Sequence, residues 1–203
     1  MLHVYVMQLG AYQTNCYVVW SDGSDTCVVI DPGYDPEKIL SEAERMHKRI
    51  EAILLTHGHF DHVGAVEKLA LQTGCPVYIH KADYELQIPM LFPLTGKALP
   101  QRVFLEDGQT VSLAGLEMKV LHTPGHTPGS VCFQIEDCLI TGDTLFAGSI
   151  GRTDFPGGDY DTICASLARL KMLKGKYDIF PGHGDATTLD EEKRYNPYLK
   201  GNL

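Results

Sequence analysis

No apolar run in this sequence approaches the roughly 20 residues needed to cross a bilayer. The opening stretch, Met1-Leu-His-Val-Tyr-Val-Met-Gln-Leu-Gly10, lacks the cationic start and continuous apolar core of a signal peptide. The six cysteines (Cys16, Cys27, Cys75, Cys132, Cys138, Cys164) form no C-x-x-C pair and are too sparse for a disulfide scaffold. In a cytoplasmic setting, which is the expectation, they would be reduced and mostly buried as small hydrophobes. Basic residues are also short, 17 against 26 acidic, and the net charge of -9 disfavours a nucleic-acid partner. The one basic cluster, Arg169-Leu-Lys-Met-Leu-Lys-Gly-Lys176, ends an expected helix, where cations oppose the dipole.

What is present reads as one α/β domain over 1–203, long enough to bury roughly 70% of its unfolded surface. Strands are expected over 2–9, 14–20 and 26–30. A helix then starts at Pro36, capped by Asp35, with Ile39, Leu40, Ala43, Met46 and Ile50 on one face. A strand ending at Thr56 leads to a helix whose inward face is Val63, Val66, Leu69 and Thr73, stopped by Gly74. Residues 76–80 read as a strand, 82–88 as a short helix, and 89–96 as a loop. The apolar residues of that loop line a pocket mouth, form a subunit contact or pack into the core. Strands follow at 110–113, 116–121, 130–136 and 138–141, a helix at 159–173, a strand at 177–180, and a final helix from Leu189.

Against this ordinary background one run stands out: Thr56-His57-Gly58-His59-Phe60-Asp61-His62. Four metal-competent side chains in six residues are too dense for packing, although Asp61 by itself could be a helix N-cap. His126, Asp143 and His183 follow singly, each in a glycine-bearing turn after an apolar run. His57, His126, Asp143 and His183 all fall just past expected strand ends, where α/β sheets gather functional groups. Imidazole and carboxylate without thiolate suit zinc and also iron or manganese. Seven candidates exceed the four ligands of a closed structural zinc site and are enough for two divalent ions. His3, His47, His80 and His122 read as surface or satisfied core histidines.

The run His57-x-His59-x-Asp61-His62 with His126, Asp143 and His183 resembles the metallo-β-lactamase superfamily over essentially the whole chain. The resemblance implies a four-layer αβ/βα sandwich with the site along one edge of the paired sheets. It assigns His57, His59 and His126 to one metal, Asp61, His62 and His183 to the other, and Asp143 to both. Val28-Val-Ile-Asp-Pro-Gly33 matches as well, and makes Asp31 an acid that orients ligand histidines from behind. Asp143, where several true β-lactamases carry cysteine, points away from antibiotic hydrolysis.

Thr141-Gly-Asp-Thr-Leu-Phe146, Gly151-Arg-Thr-Asp-Phe-Pro-Gly-Gly158 and Glu192-x-x-x-Asn196-Pro-Tyr198 are similar to the glyoxalase II (hydroxyacylglutathione hydrolase) group, in its short bacterial form. That likeness implies hydrolysis of a small-molecule thioester such as S-lactoylglutathione. Two cations would lower the pKa of a shared water to about 7, with Asp61 as a ligand that accepts a hydrogen bond from the nucleophile or moves a proton afterwards. Full-length glyoxalase II adds a C-terminal helical domain that grips glutathione, whereas this sequence stops at Leu203 and has Asp185 where the family has tyrosine. Arg152 matches a basic glutathione-binding position, but an ion pair with Asp154 or Asp159 is an equal reading. Rival expectations are a mononuclear iron persulfide dioxygenase on the same scaffold, a broad metallo-esterase or lactonase, and an inert metal-binding module.

Overall fold

A computed structural model describes residues 1–94 and 97–200. Its first half runs β1 (Leu2–Leu9), β2 (Thr14–Ser21), β3 (Thr26–Ile30), α1 (Pro36–Arg45), β4 (Arg49–Leu54), α2 (Phe60–Val63), α3 (Val66–Thr73), β5 (Val77–His80), α4 (Lys81–Glu85) and β6 (Arg102–Leu105). The second half begins with β7 (Thr110–Leu113), β8 (Leu116–His122), β9 (Val131–Ile135), β10 (Cys138–Gly142), β11 (Leu145–Phe146) and β12 (Ser149–Ile150). It closes with α5 (Tyr160–Lys171), β13 (Asp178–Pro181), β14 (Thr187–Thr188), α6 (Leu189–Tyr195) and α7 (Pro197–Lys200).

Two six-stranded sheets result, ordered β1-β2-β3-β4-β5-β6 and β14-β13-β10-β9-β8-β7, with β11 and β12 as a separate ribbon. Alternation along the strands assigns their faces. In β3, Cys27 and Val29 pack with Ile39, Ala43, Val66 and Leu69 of the α1 and α3 helices. Val28 and Ile30 turn the other way, onto Val120, Val131, Phe133 and Ile135 of the second sheet. The far face of that sheet, through Leu121, Cys132, Leu139 and Ile179, is covered by Leu167, Leu170, Leu189 and Leu199. Helix, sheet, sheet, helix is the four-layer sandwich expected from the sequence.

Several expectations are corrected. The α1 helix ends at Arg45 because His47 takes a left-handed φ of 54°, so Ile50 belongs to β4 and not to the helical face. The helix expected through Thr73 is split into α2 and α3. Asp61 lies inside α2 and is not its cap; His59 occupies that position without a side-chain capping bond. A strand was missed at 102–105, where β6 pairs parallel with β5. In the segment 89–96, Phe92 and Leu94 are buried while Met90 is exposed; Thr95 and Gly96 lie outside the described residues.

The cysteines are free thiols, five buried and Cys164 partly so. Among the described residues no helix is long and apolar enough to cross a membrane. His3 stacks on Trp20 and His80 on His122, as satisfied residues do.

Candidate metal centre

The sandwich brings its chemistry to one edge. His57, Asp143 and His183 follow the ends of β4, β10 and β13, His126 follows β8, and Asp31 follows β3. Backbone bonds lace the edge, both within the second sheet and between the two sheets. Asn15 N donates to the Gly182 carbonyl at 2.8 Å, Gly182 N to Gly142 at 2.8 Å, and Val131 N to Thr56 at 2.8 Å. Asn15 Nδ2 adds bonds to the Pro181 and Gly184 carbonyls at 3.0 and 2.9 Å, which fix the turn carrying His183. Gly182 must be glycine, since an added Cβ would collide with Asp143 Oδ1.

All seven expected residues meet. His57, His59 and His126 form one group of potential ligands, and Asp61, His62 and His183 another, each with ligand atoms within 4.8 Å of one another. The Asp143 carboxylate stands between them. Its Oδ2 is 3.5 Å from His126 Nε2 and 3.6 Å from His183 Nε2, and its Oδ1 is 3.3 Å from His62 Nε2. A third grouping, Asp31 with His57 and His62, also lies within 4.8 Å. There the Asp31 oxygens already accept from Thr56 N at 2.8 Å, Thr56 Oγ1 at 2.5 Å and His62 Nδ1 at 3.0 Å. Both Asp31 oxygens are thus engaged by Thr56 and His62.

Ring orientation tests whether these residues fit a cation. His62 Nδ1 faces Asp31, His126 Nδ1 the Arg152 carbonyl at 2.7 Å, and His183 Nδ1 the Tyr12 carbonyl at 3.2 Å. Those oxygens only accept, so Nδ1 carries a proton and, in the neutral ring, Nε2 presents a lone pair inward. His57 Nδ1 lies 3.1 Å from Thr56 Oγ1, whose own hydrogen goes to Asp31, so the same tautomer is selected. His59 is turned, with Nδ1 2.9 Å from His126 Nε2. Two ring nitrogens at that separation either share a proton or face a common cation. His57 Nε2, His59 Nε2 and Asp143 Oδ1 are buried without a hydrogen-bond partner. Each unmade bond costs about 1–3 kcal/mol, and a cation would satisfy His57 Nε2 and Asp143 Oδ1. The donor set fits a pair of divalent ions.

Electrostatics divides the two groups. Burial lowers His57 well below the usual imidazole range, its histidine neighbours adding to the effect, and lowers His59 to about 3. Burial also lowers His126, against the pull of Asp143. On the other side burial is outweighed: Asp143 and Asp31 raise His62 well above its ordinary value, and Asp61 and Asp143 raise His183. Burial raises the Asp143 and Asp61 carboxyls too, but the neighbouring histidines prevail and hold both below the carboxylate norm.

A pH dependence of cation binding follows. Burial holds the histidines of the first group below the usual imidazole range, so its binding should vary less with pH. In the second group a cation must displace protons from His62 and His183. Its affinity should rise with pH through and above 6.5 and fall below it. Calorimetric titration with zinc at pH 6 and 8, in buffers of different ionisation enthalpy, should give more proton release for the second equivalent than for the first. Equal release for both would contradict this division.

Sequence reasoning missed four supports. Thr14 Oγ1 donates to Asp61 Oδ2 at 3.2 Å, the Tyr12 carbonyl holds His183, and Thr56 links Asp31 to His57. Buried Asp83 accepts from Gly58 N and Thr127 Oγ1, both at 2.8 Å, and from Gly129 N at 2.6 Å, tying the His57 turn to the His126 turn. Burial pushes its carboxyl up to about 6 despite those donors. Only Thr56, inside the histidine run, had a local signal. Arg152 pairs with Asp154 at 2.7 and 2.6 Å, whereas Asp159 caps α5. Its guanidinium carbon also lies 3.7 Å from the centroid of the Phe155 ring.

Comparison with known proteins agrees with this geometry. The family profile described as the metallo-beta-lactamase superfamily matches residues 9–183. The chain is 37% identical to hydroxyacylglutathione hydrolase GloC of Haemophilus influenzae, over 98% of either chain. Among solved structures it is similar to TTHA1623 in a di-iron-bound form, at 42% identity and TM-score 0.83, covering 97% of this chain and 100% of that one. It is also similar to the BLEG-1 B3 metallo-beta-lactamase, at 36% identity and TM-score 0.87, covering 98% and 100%.

Proposed function

Because the chain belongs to the metallo-beta-lactamase superfamily, we propose that it is a cytoplasmic hydrolase with two divalent ions that cleaves small thioesters of the hydroxyacyl-glutathione type. The observation that carries this reading is the Asp143 carboxylate between two three-residue groups, with the outer nitrogens of four histidines tied off. In this reading His57, His59 and His126 hold one ion, Asp61, His62 and His183 the other, and Asp143 both. Zinc and iron each suit the donors, and iron is what the TTHA1623 structure holds. Bound ions supply a water of lowered pKa and polarise the carbonyl.

The chain's own groups do the rest. A cavity of about 510 Å³ beside the centre is lined by Tyr12, Phe60, Phe146, Ile150, Arg152 and Phe155, among others. Its aromatic walls suit the apolar parts of a thioester and exclude water around the carbonyl. Arg152 and Asp154 are both exposed, and such a pair exchanges readily for another carboxylate. Arg152 is thus the group offered to an anionic thiol carrier. Asp61, held below the usual carboxylate range and steadied by Thr14, accepts a proton from the nucleophile's side. Support for the thioester class comes from the GloC relative, which matches along its length. No nucleic acid and no membrane enters this reading.

The metal-replete protein should release thiol from S-lactoylglutathione, lose that activity to a chelator, and regain it with zinc or iron. Oxygen uptake with glutathione persulfide in its place would favour the dioxygenase. Faster opening of a β-lactam than of the thioester would favour the activity named for BLEG-1. Either result would overturn the proposal.

A further inference from the structure

The turn after Asp143 does more than connect. It runs out as the β11–β12 ribbon and returns so closely that an added Cβ on Gly151 would collide with the Asp143 carbonyl and lie 3.1 Å from His126 Nδ1. The next residue supplies the carbonyl that holds His126. Both feet of the ribbon therefore stand on the metal centre, while Phe146, Ser149 and Ile150 line the cavity. The Phe146 ring centroid lies 6.2 Å from that of His183. Yet only two residue pairs close the ribbon, Leu145 with Ile150 and Phe146 with Ser149. A two-stranded ribbon is marginal by itself in water, and its tip, residues 147–149, is exposed.

What fixes it comes from α6. Glu192 and Asn196, one helical turn apart, are 4% and 0% exposed. Glu192 Oε2 accepts from Gly148 N at 2.8 Å and from Asn196 Nδ2 at 2.8 Å. Asn196 Nδ2 also donates to the Ser149 carbonyl at 3.0 Å, with a longer contact to Phe146 at 3.4 Å. The second Glu192 oxygen accepts from Thr187 Oγ1 at 2.7 Å, on the β14 strand. That strand pairs with β13, which leads to His183. A buried carboxylate would be costly to keep unless every partner were supplied, and here the partners are the ribbon on one side and the His183 strand pair on the other.

We propose that Glu192 and Asn196 are positioning residues that set the cavity wall formed by ribbon 145–150 against the turn carrying His183, and so govern how tightly substrate is held. Neither touches the ligand set, so binding and not metal retention is what they control. The inference rests on the cavity being the substrate site, as in the proposed function, but not on which ester enters it.

Asn196→Ala and Asn196→Ser, with Glu192→Gln as the conservative control, test it without assuming turnover. In Asn196→Ala, amide hydrogen exchange should quicken over 145–151 by about tenfold or more, while outside this ribbon and the turn at Tyr198, whose N–H donates to Asn196 Oδ1, it is unchanged. Metal content should stay at the wild-type value. KM for S-lactoylglutathione should rise about tenfold, with kcat within about threefold. Glu192→Gln keeps an oxygen for Gly148 N and Asn196 Nδ2, and Thr187 Oγ1 can turn to accept, so it should stay within about twofold of wild type. Unchanged exchange over 145–151, or a fall in thermal midpoint with KM unmoved, would reduce the pair to structural residues and overturn the proposal. If Asn196→Ala does not fold, Asn196→Ser, which keeps a polar group there, carries the same comparison. If no variant or wild type cleaves the thioester, the functional reading fails, while exchange and metal content still judge the network.

Discussion

Asp143→Ala should abolish hydrolysis, lowering kcat/KM by on the order of a thousandfold or more. The basis is position: its oxygens lie 3.3 to 3.6 Å from the Nε2 atoms of His62, His126 and His183, which belong to both proposed ion groups. Losing a residue behind a ligand typically costs about 10–100-fold in affinity or activity; a shared ligand should cost more. The variant should also bind less metal, with the second group weakened most, because His62 loses its nearest inward carboxylate. Asp143→Asn keeps the volume but replaces one oxygen by a donor, so it should retain the fold and only one ion. Elemental analysis beside steady-state kinetics decides the matter. Two equivalents of metal with wild-type turnover in Asp143→Ala would remove the shared-carboxylate reading.

Asp31→Asn is expected to fold and yet lose the second ion, for a reason of proton placement. Thr56 N needs an acceptor, so the amide oxygen must take the Oδ1 position. The amide nitrogen then occupies the Oδ2 position and donates toward Thr56 Oγ1 or His62 Nδ1. His62 can meet that donor only by moving its proton to Nε2, which removes the inward lone pair. The same wrong-tautomer effect disables a catalytic histidine when its buried aspartate becomes asparagine. Zinc affinity at the second group should fall by about 100-fold, and the first should weaken less, since only through Thr56 does it lose the acceptor that fixes the His57 tautomer. The left-handed φ of 54° at Asp31 suits asparagine equally well, so backbone strain should not confuse the result. Asp31→Ala, by contrast, leaves Thr56 N and His62 Nδ1 buried without acceptors. It should cost about 2–5 kcal/mol in a denaturant melt.

Much of the fold was legible because its signals are local. Strand β3 is bounded as the sequence reading placed it, and α3 ends at the Gly74 that the reading made its stop, there in a left-handed conformation. The errors share one cause. Ile50 continues the helical spacing of α1, and nothing local shows that His47 turns the chain out before it. The strand at 102–105 was overlooked because a short apolar run gains its identity only from its parallel neighbour β5. Arg152 offered two ion-pair partners in the sequence, and only the turn's path put Asp154 beside it.

From the sequence alone came the inventory: seven imidazoles and carboxylates, the glycines that let turns approach, and the apolar runs that let a strand be buried on both faces. Residue type sets which atoms can accept a cation, and that chemistry is carried by each side chain wherever it lies. The packed sheets decided the remainder. They chose which nitrogen of each ring points inward, placed Asp143 between the groups, and brought Asp83, Thr14 and the Glu192–Asn196 pair to their partners. Tautomer and contact depend on groups far apart along the chain, and only the closed sandwich brings those groups within hydrogen-bonding distance.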